Sequence, residues 1–405
     1  MEDKKIKVGI NASFLRKQNT GVGQVTLNFL QKLSEFKVQS SKFKVKEYRF
    51  IIYLEEELPK NFKLPKNFET RVFLPFWKRD DLIRKIWWEK CLLPKRAKKD
   101  NCDVFVSMYQ CPTIFSKSVK HLMIVHDIIP KLFPEYLNNS RKKHYWKLTE
   151  KGIKKADRIV AVSRRTEKDL IQHLGVSPMK ISQSYIDVDE IYKNNVETHL
   201  NASLPGKYKL KPGYILAGGG YEVRKNVEGV IRAYKELDSR FPASPAGGRG
   251  NDKHDELPKL VIYGKLLPQL APLATDAEKL VKELNLTKQV KLLDMVPQKD
   301  MPALFKNASI FVYPSHYEGF GMPILEAMNT GTPVITSKVS SLPEVGGDSV
   351  LYCHHDDVED IAMVMKNVML NKDLRETLSA RAKERAGQFD WNKFTEKVLN
   401  IIENL

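Results

Sequence analysis

Three groups of residues in this chain have the types and spacing to do chemistry. The first is Glu318 and Glu326, eight positions apart in the string YPSHYEGFGMPILEAMNTGTPVI, 313–335. The apolar run 310–313 reads as a buried strand, and Glu318, Gly319, Phe320 and Gly321 as the loop after it. A helix then opens with Pro323 at its first position and stops near Gly331. One carboxylate thus lies in the loop and the other about one helical turn further in. The glycines let backbone N–H groups approach a ligand, and the helix start favours an anion. Such a turn could hold a phosphate by its amides while the carboxylates accept hydrogen bonds from hydroxyls. That is the chemistry of a phosphorylated sugar.

The second group is Arg224 and Lys225, which follow the strand GYILAGG and stand just before a helix that begins near Asn226. Cations are disfavoured at that end of a helix unless something anionic is near. Two of them beside helix amides can neutralise a diphosphate, and stabilise it more as it departs with added charge. The third is His126 and Asp127, at the end of the apolar strand HLMIVHD, where doubly wound domains present residues to a ligand. The imidazole could hydrogen-bond a sugar hydroxyl and the carboxylate could orient an acceptor; a satisfied structural pair is the alternative. Gly21 and Gly23 form a turn that opens a helix, which by itself is weak evidence for a ligand loop. Two metal-like patterns are discounted. Asp187 and Asp189 have no second ligand cluster near them in sequence, and His354 to Asp357 reads as a polar loop capping the helix at 358. No metal and no other cofactor is expected.

The elements that must position these groups alternate along the chain. Short apolar runs with β-branched content (IKVGINASF, RFIIYL, DVFVSM, HLMIVHD, RIVAVS) are separated by helical stretches, as in a parallel sheet with crossovers. The pattern lapses near 190–212 and then restarts with GYILAGG, KLVIYGK, VKLLDMV, IFVYPS and PVITSK. The segment 239–256 is rich in Gly, Pro and charge without periodicity, and reads as a surface insertion. Residues 390–405 carry Trp391, Phe394, Val398 and Ile401 at helical spacing.

The whole 313–335 string resembles the donor-binding signature of the group 1 (family four) retaining glycosyltransferases, and the resemblance extends over nearly the whole chain. It implies an α/β fold of GT-B architecture, with two facing Rossmann-like doubly wound domains and a cleft between them. The implied domains are 1–205 for the acceptor and 206–388 for a nucleotide-sugar donor, with 389–405 a helix crossing back to the first. In the family, the first glutamate of the pair contacts the transferred sugar and the second the nucleotide ribose, which here are Glu318 and Glu326. The RKN element implies phosphate ligation by Lys225 and Arg224, although many members have Arg where this chain has Gly220. Gly21 and Gly23 match the family's glycine loop, the His126–Asp127 pair lines the cleft, and Ser163 and Arg164 resemble a further cleft-edge element. Gly321, Met322 and Glu326 would hold the nucleotide. The implied activity is transfer of a hexose from a nucleotide-diphosphate sugar to an acceptor hydroxyl, in polysaccharide or glycolipid assembly. A leaning toward mannosyltransferases comes from the style of HDIIPKLFPEY. A nucleotide-sugar epimerase of the same fold and a basic nucleic-acid-binding protein are the alternatives.

Composition bounds the partners. A hydrophobic fraction of 42% with 29% charged residues over 405 positions suits a soluble protein of two domains. Four cysteines without metal-type or disulfide spacing, no signal-peptide core and no apolar run long enough for a bilayer lead us to expect a cytoplasmic protein, peripheral if it meets a membrane. The net charge of +18 is uneven: residues 1–200 hold 40 Lys and Arg against 23 Asp and Glu, and residues 201–405 hold 27 against 26. An anionic partner for the first half is therefore expected. Charge alone gives only unspecific affinity for nucleic acid, and no zinc-finger or RNA-binding motif is present, so nucleic acid is not expected. Segments 76–100 and 141–158 concentrate the charge, with Trp77, Trp87, Trp88 and Tyr145 interleaved. Either they meet an anionic membrane carrying a lipid-linked or oligosaccharide acceptor, or the aromatics are core and the lysines solvate their helices.

Overall fold

A computed structural model of the protein describes residues 5–35, 48–58, 62, 64–73, 81–193, 207–240 and 257–405. Trp77, most of the 239–256 segment and residues 194–206 of the linker lie outside them. The chain forms two compact units, residues 1–188 with 389–405, and residues 189–388. The passage between units thus falls at Val188–Asp189, ahead of the expected 205. The cause is local: Asp189 caps a short 3-10 turn, Glu190–Tyr192, whose tyrosine packs on Phe305 of the second unit.

In the first unit seven described strands form one parallel sheet. They are β1 (Ile6–Asn11), β2 (Tyr48–Leu54), β3 (Phe68–Val72), β4 (Val104–Ser107), β5 (Lys120–Val125), β6 (Arg158–Ala161) and β7 (Ile181–Gln183), in the order β3-β2-β1-β4-β5-β6-β7. The second unit has β8 (Tyr214–Gly218), β9 (Leu260–Tyr263), β10 (Val290–Leu293), β11 (Ala308–Tyr313), β12 (Val334–Ser337) and β13 (Leu351–Cys353), in the order β10-β9-β8-β11-β12-β13. All described pairings are parallel, and central strands such as β4 and β8 are buried at every position. That is why they read in sequence as unbroken apolar runs rather than alternating ones. Each unit is Rossmann-like, as expected for each domain of the implied fold.

Strand order reverses at β1/β4 in one unit and at β8/β11 in the other. In doubly wound sheets the carboxyl ends of strands at such a reversal part and leave a crevice for a ligand. The loops that carry Glu318 and the Arg224–Lys225 pair leave β11 and β8, so the second reversal sets them side by side. The terminal helix Trp391–Glu403 belongs to the first unit. Its Trp391 Nε1 donates to Val188 O (2.9 Å), Phe394 meets Phe29 edge-on, and Glu403 accepts from Tyr48 Oη at 3.0 Å. The spacing of apolar residues along this helix is what buries that face.

Candidate active site

In the second unit, β8 ends in Gly218, Gly219 and Gly220, all at positive φ. A Cβ on Gly218 would sit 2.2 Å from Tyr263 O, so the backbone passes too close for any side chain there. Arg224 and Lys225 then lie in a 3-10 turn, Val223–Lys225, and the helix proper is Val227–Arg240. Asn226, at φ 55°, joins the two, and its Oδ1 accepts from Gly229 N as the helix cap.

Glu318 sits opposite, in the loop after β11. It is buried, and four donors converge on its Oε1: Tyr313 Oη at 2.6 Å, Lys225 Nζ at 2.8 Å, Ser315 Oγ at 2.9 Å and Arg224 Nη1 at 3.0 Å. Burial alone would raise the pKa of this carboxyl. Arg224 and Lys225 outweigh it and bring it down to about 2, so Glu318 is an anion at neutral pH. Burial, with Arg224 beside it, shifts Lys225 downward, against the pull of Glu318. Arg224 reaches a second carboxylate, the exposed Glu222, at 2.6 Å, and Lys225 also donates to Tyr313 Oη. The backbone of the loop is pinned as well. Ser341 Oγ lies 2.8 Å from Glu318 O and 2.9 Å from Phe320 O, and Glu318 N donates to Ser340 Oγ. Gly321, at φ 104°, turns the chain into the helix Met322–Asn329, where the glycine's freedom is required. Pro323 is therefore its second residue.

Glu326 projects from that helix and is buried without a cation at salt-bridge distance among the described residues. Burial pushes its pKa up to about 7; Asp189 adds to the rise, and a hydrogen bond from Tyr192 and the charge of Lys225 oppose it. The two glutamates thus share a loop–helix unit and differ in protonation behaviour. One is a fixed anion, and the other titrates near neutrality.

In the first unit the loop residues behave differently. His126 is buried at the end of β5, and its Nε2 lies 2.9 Å from Met108 O, so that nitrogen carries the proton and donates to the carbonyl. Burial lowers its pKa to about 4, against the Met108 contact, so the ring is neutral with Nδ1 as an acceptor. Asp127 Oδ1 accepts from Ile129 N, a turn-forming bond that opens the short helix Ile129–Leu132. Gly21 and Gly23 are the first and third residues of the helix Gly21–Glu35 rather than a free loop. A Cβ on Gly23 would fall 2.2 Å from Lys17 O, which gives that glycine a packing reason of its own. Ser163 is fully buried and caps the helix Arg164–Leu174 through Thr166 N. Asp187 and Asp189 accept from the backbone N–H groups of Val188 and Ile191.

Residues 205–385 match the model of "Glycosyl transferases group 1" and residues 20–188 that of "Glycosyltransferase Family 4". The O-antigen chain mannosyltransferase B of Escherichia coli is 30% identical over 341 residues, covering 82% of this chain and 83% of that protein. The chain belongs to the group 1, family 4 glycosyltransferases. It also matches the longer serotype-specific mannosyltransferase WbdA of Escherichia coli, at 28% identity over 67% of this chain and 32% of that one. Among solved structures, Anabaena Alr3699/HepE in complex with UDP and glucose superposes with a TM-score of 0.69 at 15% identity, covering 99% of this chain and 100% of that one.

Within this glycosyltransferase the structure brings Arg224, Lys225 and Glu318 into contact, and places Glu326 on the adjoining helix. Sequence reading passed over Tyr313, Ser315, Ser340, Ser341 and Tyr192. Tyr313 reads as a core aromatic of β11, and nothing local marks its hydroxyl as a partner of Glu318. Ser340 and Ser341 follow β12 in SSLPE, where small hydroxyls before a Pro look like an ordinary helix start. A buried carboxylate of the first unit was also passed over. Glu89 lies in a π-turn, Trp88–Leu92, and accepts from Tyr109 Oη (2.6 Å) and Tyr145 Oη (2.8 Å), with Lys85 at 3.8 Å.

Proposed function

We propose that this glycosyltransferase moves a hexose from a nucleoside-diphosphate sugar to a hydroxyl of an oligosaccharide or lipid-linked acceptor, with retention at the anomeric carbon and without a metal ion. The observation that carries the reading is the Arg224–Lys225–Glu318 triad at the carboxyl ends of β8 and β11. Two fixed cations, one of them shared with Glu222, stand against the buried Glu318; such cations suit a diphosphate and suit it better as the phosphate oxygen leaves. Lys225 and Arg224 hold the phosphates, and the amides around Gly319, Phe320 and Gly321 lie at the helix start beside them. Met322 and Glu326 hold the nucleoside, with the ribose hydroxyls donating to Glu326. Glu318 accepts from hydroxyls of the sugar and stabilises positive charge developing near the anomeric carbon. The neutral His126 accepts from a further sugar hydroxyl through Nδ1, and Asp127 orients the acceptor. The departing phosphate oxygen takes the acceptor proton as the new glycosidic bond forms on the same face. Mannose is the first hexose to test, because an O-antigen chain mannosyltransferase and a serotype-specific mannosyltransferase are among the similar proteins.

The test is a panel of uridine- and guanosine-diphosphate hexoses with an oligosaccharide acceptor, reading the anomeric configuration of the product by NMR. Donor without acceptor should return unchanged, whereas an epimerised nucleotide sugar would replace this reading. Turnover should survive a chelator; loss of activity restored by manganese or magnesium would overturn the metal-free step. No described helix is long and apolar enough to cross a membrane. A peripheral membrane contact is supported by Ile83 (43% exposed) and Trp87 (54% exposed) on the helix Asp81–Trp87, next to the exposed cations Lys95, Arg96, Lys98 and Lys99.

A further inference from the structure

One cluster of the second unit has the composition of a transition-metal site and contains none of the residues proposed above to hold the donor. His316 comes from the loop after β11, and His355 and Asp356 from the loop after β13. His316 Nδ1 lies 3.4 Å from Asp356 Oδ1, and His355 Nε2 lies 3.2 Å from Asp356 Oδ2. One ligand atom from each residue falls within 4.8 Å of the other two. A tetrahedral zinc ion with nitrogen and oxygen ligands at about 2.0–2.1 Å has ligand-to-ligand edges of about 3.3 Å. Two of the three residue pairs already stand near that length, each histidine on a different oxygen of Asp356, so the carboxylate must turn to offer one oxygen to the ion. The third closes by rotation of two imidazoles that now meet edge-on, with centroids 4.9 Å apart.

The two loops are held together without any ion. Asn226 Nδ2 donates to His355 O at 2.6 Å and to Pro314 O at 3.2 Å, and His316 N donates to Arg224 O at 2.8 Å. Ligands on a fixed backbone lose little freedom on binding. His354 stacks on His355 at an interplanar angle of 9°, which orients that ring. The side chain of Asp356 is 63% exposed, so an ion can enter from solvent and keep water as its fourth ligand.

We propose that His316, His355 and Asp356 bind one divalent ion of the zinc class, which clamps the loop after β11 to the loop after β13. Its role is to stiffen the segment leading into Glu318, not to take part in transfer. The inference stands whether or not the proposed donor chemistry is right, because its readout is metal binding.

The experiment uses the full chain, stripped with chelator, then titrated with Zn²⁺ by calorimetry and with Co²⁺ by visible absorption. One equivalent should bind, and Co²⁺ should show the intense bands of a tetrahedral ion. Outer-shell changes at metal sites cost about 10–100-fold in affinity, so loss of a direct ligand in His316→Ala or His355→Ala should cost more than about 100-fold. Asp356→Asn, at an exposed position, keeps the fold and should also weaken binding. His144→Ala, an exposed imidazole of the first unit, should leave it unchanged. Nucleotide affinity measured in parallel checks that each variant is folded. The proposal is overturned if the wild type takes up no stoichiometric ion, or if His316→Ala/His355→Ala binds as the wild type does; the cluster is then a hydrogen-bonded His–Asp–His group only.

Discussion

The two halves of this glycosyltransferase carry charge differently. Residues 201–405 are almost balanced, with 27 Lys and Arg against 26 Asp and Glu, yet they contain the buried Arg224–Lys225–Glu318 triad. Residues 1–200 carry a surplus of 17 cations, 40 against 23. At the end of β5, however, that half presents a neutral imidazole, His126. Among its buried carboxyls, Glu89 is shifted upward by burial, with Lys85 and two tyrosine hydroxyls opposing the shift, and Glu55 is paired with Arg16 at 3.3 Å and Arg84 at 3.4 Å. The surplus itself sits outside, on residues such as Lys95 and Lys98. Charge counting therefore finds surfaces, whereas the buried charges of either half are partnered, because they have given up hydration.

The sharpest way to break this contrast is Glu318→Gln. A lost charged hydrogen bond costs about 1.5–3 kcal/mol, or roughly 10–150-fold, and this residue makes several. Turnover should fall by at least about 100-fold, with nucleoside-diphosphate affinity much less affected; a thermal melt checks that the buried triad still folds. Wild-type turnover in this variant would remove the sugar role from Glu318. Lys225→Ala comes next. It should weaken nucleoside-diphosphate binding by about 10–100-fold in calorimetry and slow transfer, with Arg224→Ala similar but milder. Unchanged affinity in both variants would put the phosphate site elsewhere.

Glu326 allows a finer test, because its pKa of about 7 lies above the ordinary 4.5. The sign follows from linkage: a carboxyl raised on folding favours the folded state while protonated. The free protein should therefore lose stability as pH rises from about 4.5 through about 7. Ribose hydroxyls favour the carboxylate, so nucleotide affinity should rise over the upper part of that range. Glu326→Gln should weaken binding at pH 8 and lack this component of the pH profile, measured against wild type so that phosphate ionisation cancels. A variant with the same profile as wild type would show that Glu326 does not meet the nucleotide.

The smallest effect is expected from the basic surface. Each near-surface cation contributes about 1 kcal/mol on an anionic bilayer. Replacing Lys95, Arg96, Lys98 and Lys99 by Gln should reduce flotation with anionic liposomes and leave nucleotide affinity unchanged. A wild-type protein that stays unbound at low salt would assign the surplus charge to a soluble anionic acceptor instead. The tryptophans already divide along this line: Trp88 is fully buried against Phe73 and belongs to the core, whereas Trp87 is exposed.

What the sequence by itself determined is local. Apolar runs predicted the strands, and turn residues with helical spacing predicted the helices, to within a few positions: the helix expected at 358 starts at Val358, and that expected near Asn226 starts at Val227. The string 313–335 was specific enough to identify the family, because its loop, glycines and two glutamates form one contiguous unit. Only the tertiary structure decided that Arg224 and Lys225, over ninety residues earlier, close on Glu318, that Tyr192 reaches Glu326, and that His316 meets His355 and Asp356. It also decided that Gly23 is a glycine for packing against Lys17 O and that one of two adjacent tryptophans is core. The reason is the order of strands. Periodicity tells which face of an element is buried, but the pairing of β8 with β11 is a property of the whole sheet, and it is that pairing which sets distant loops side by side.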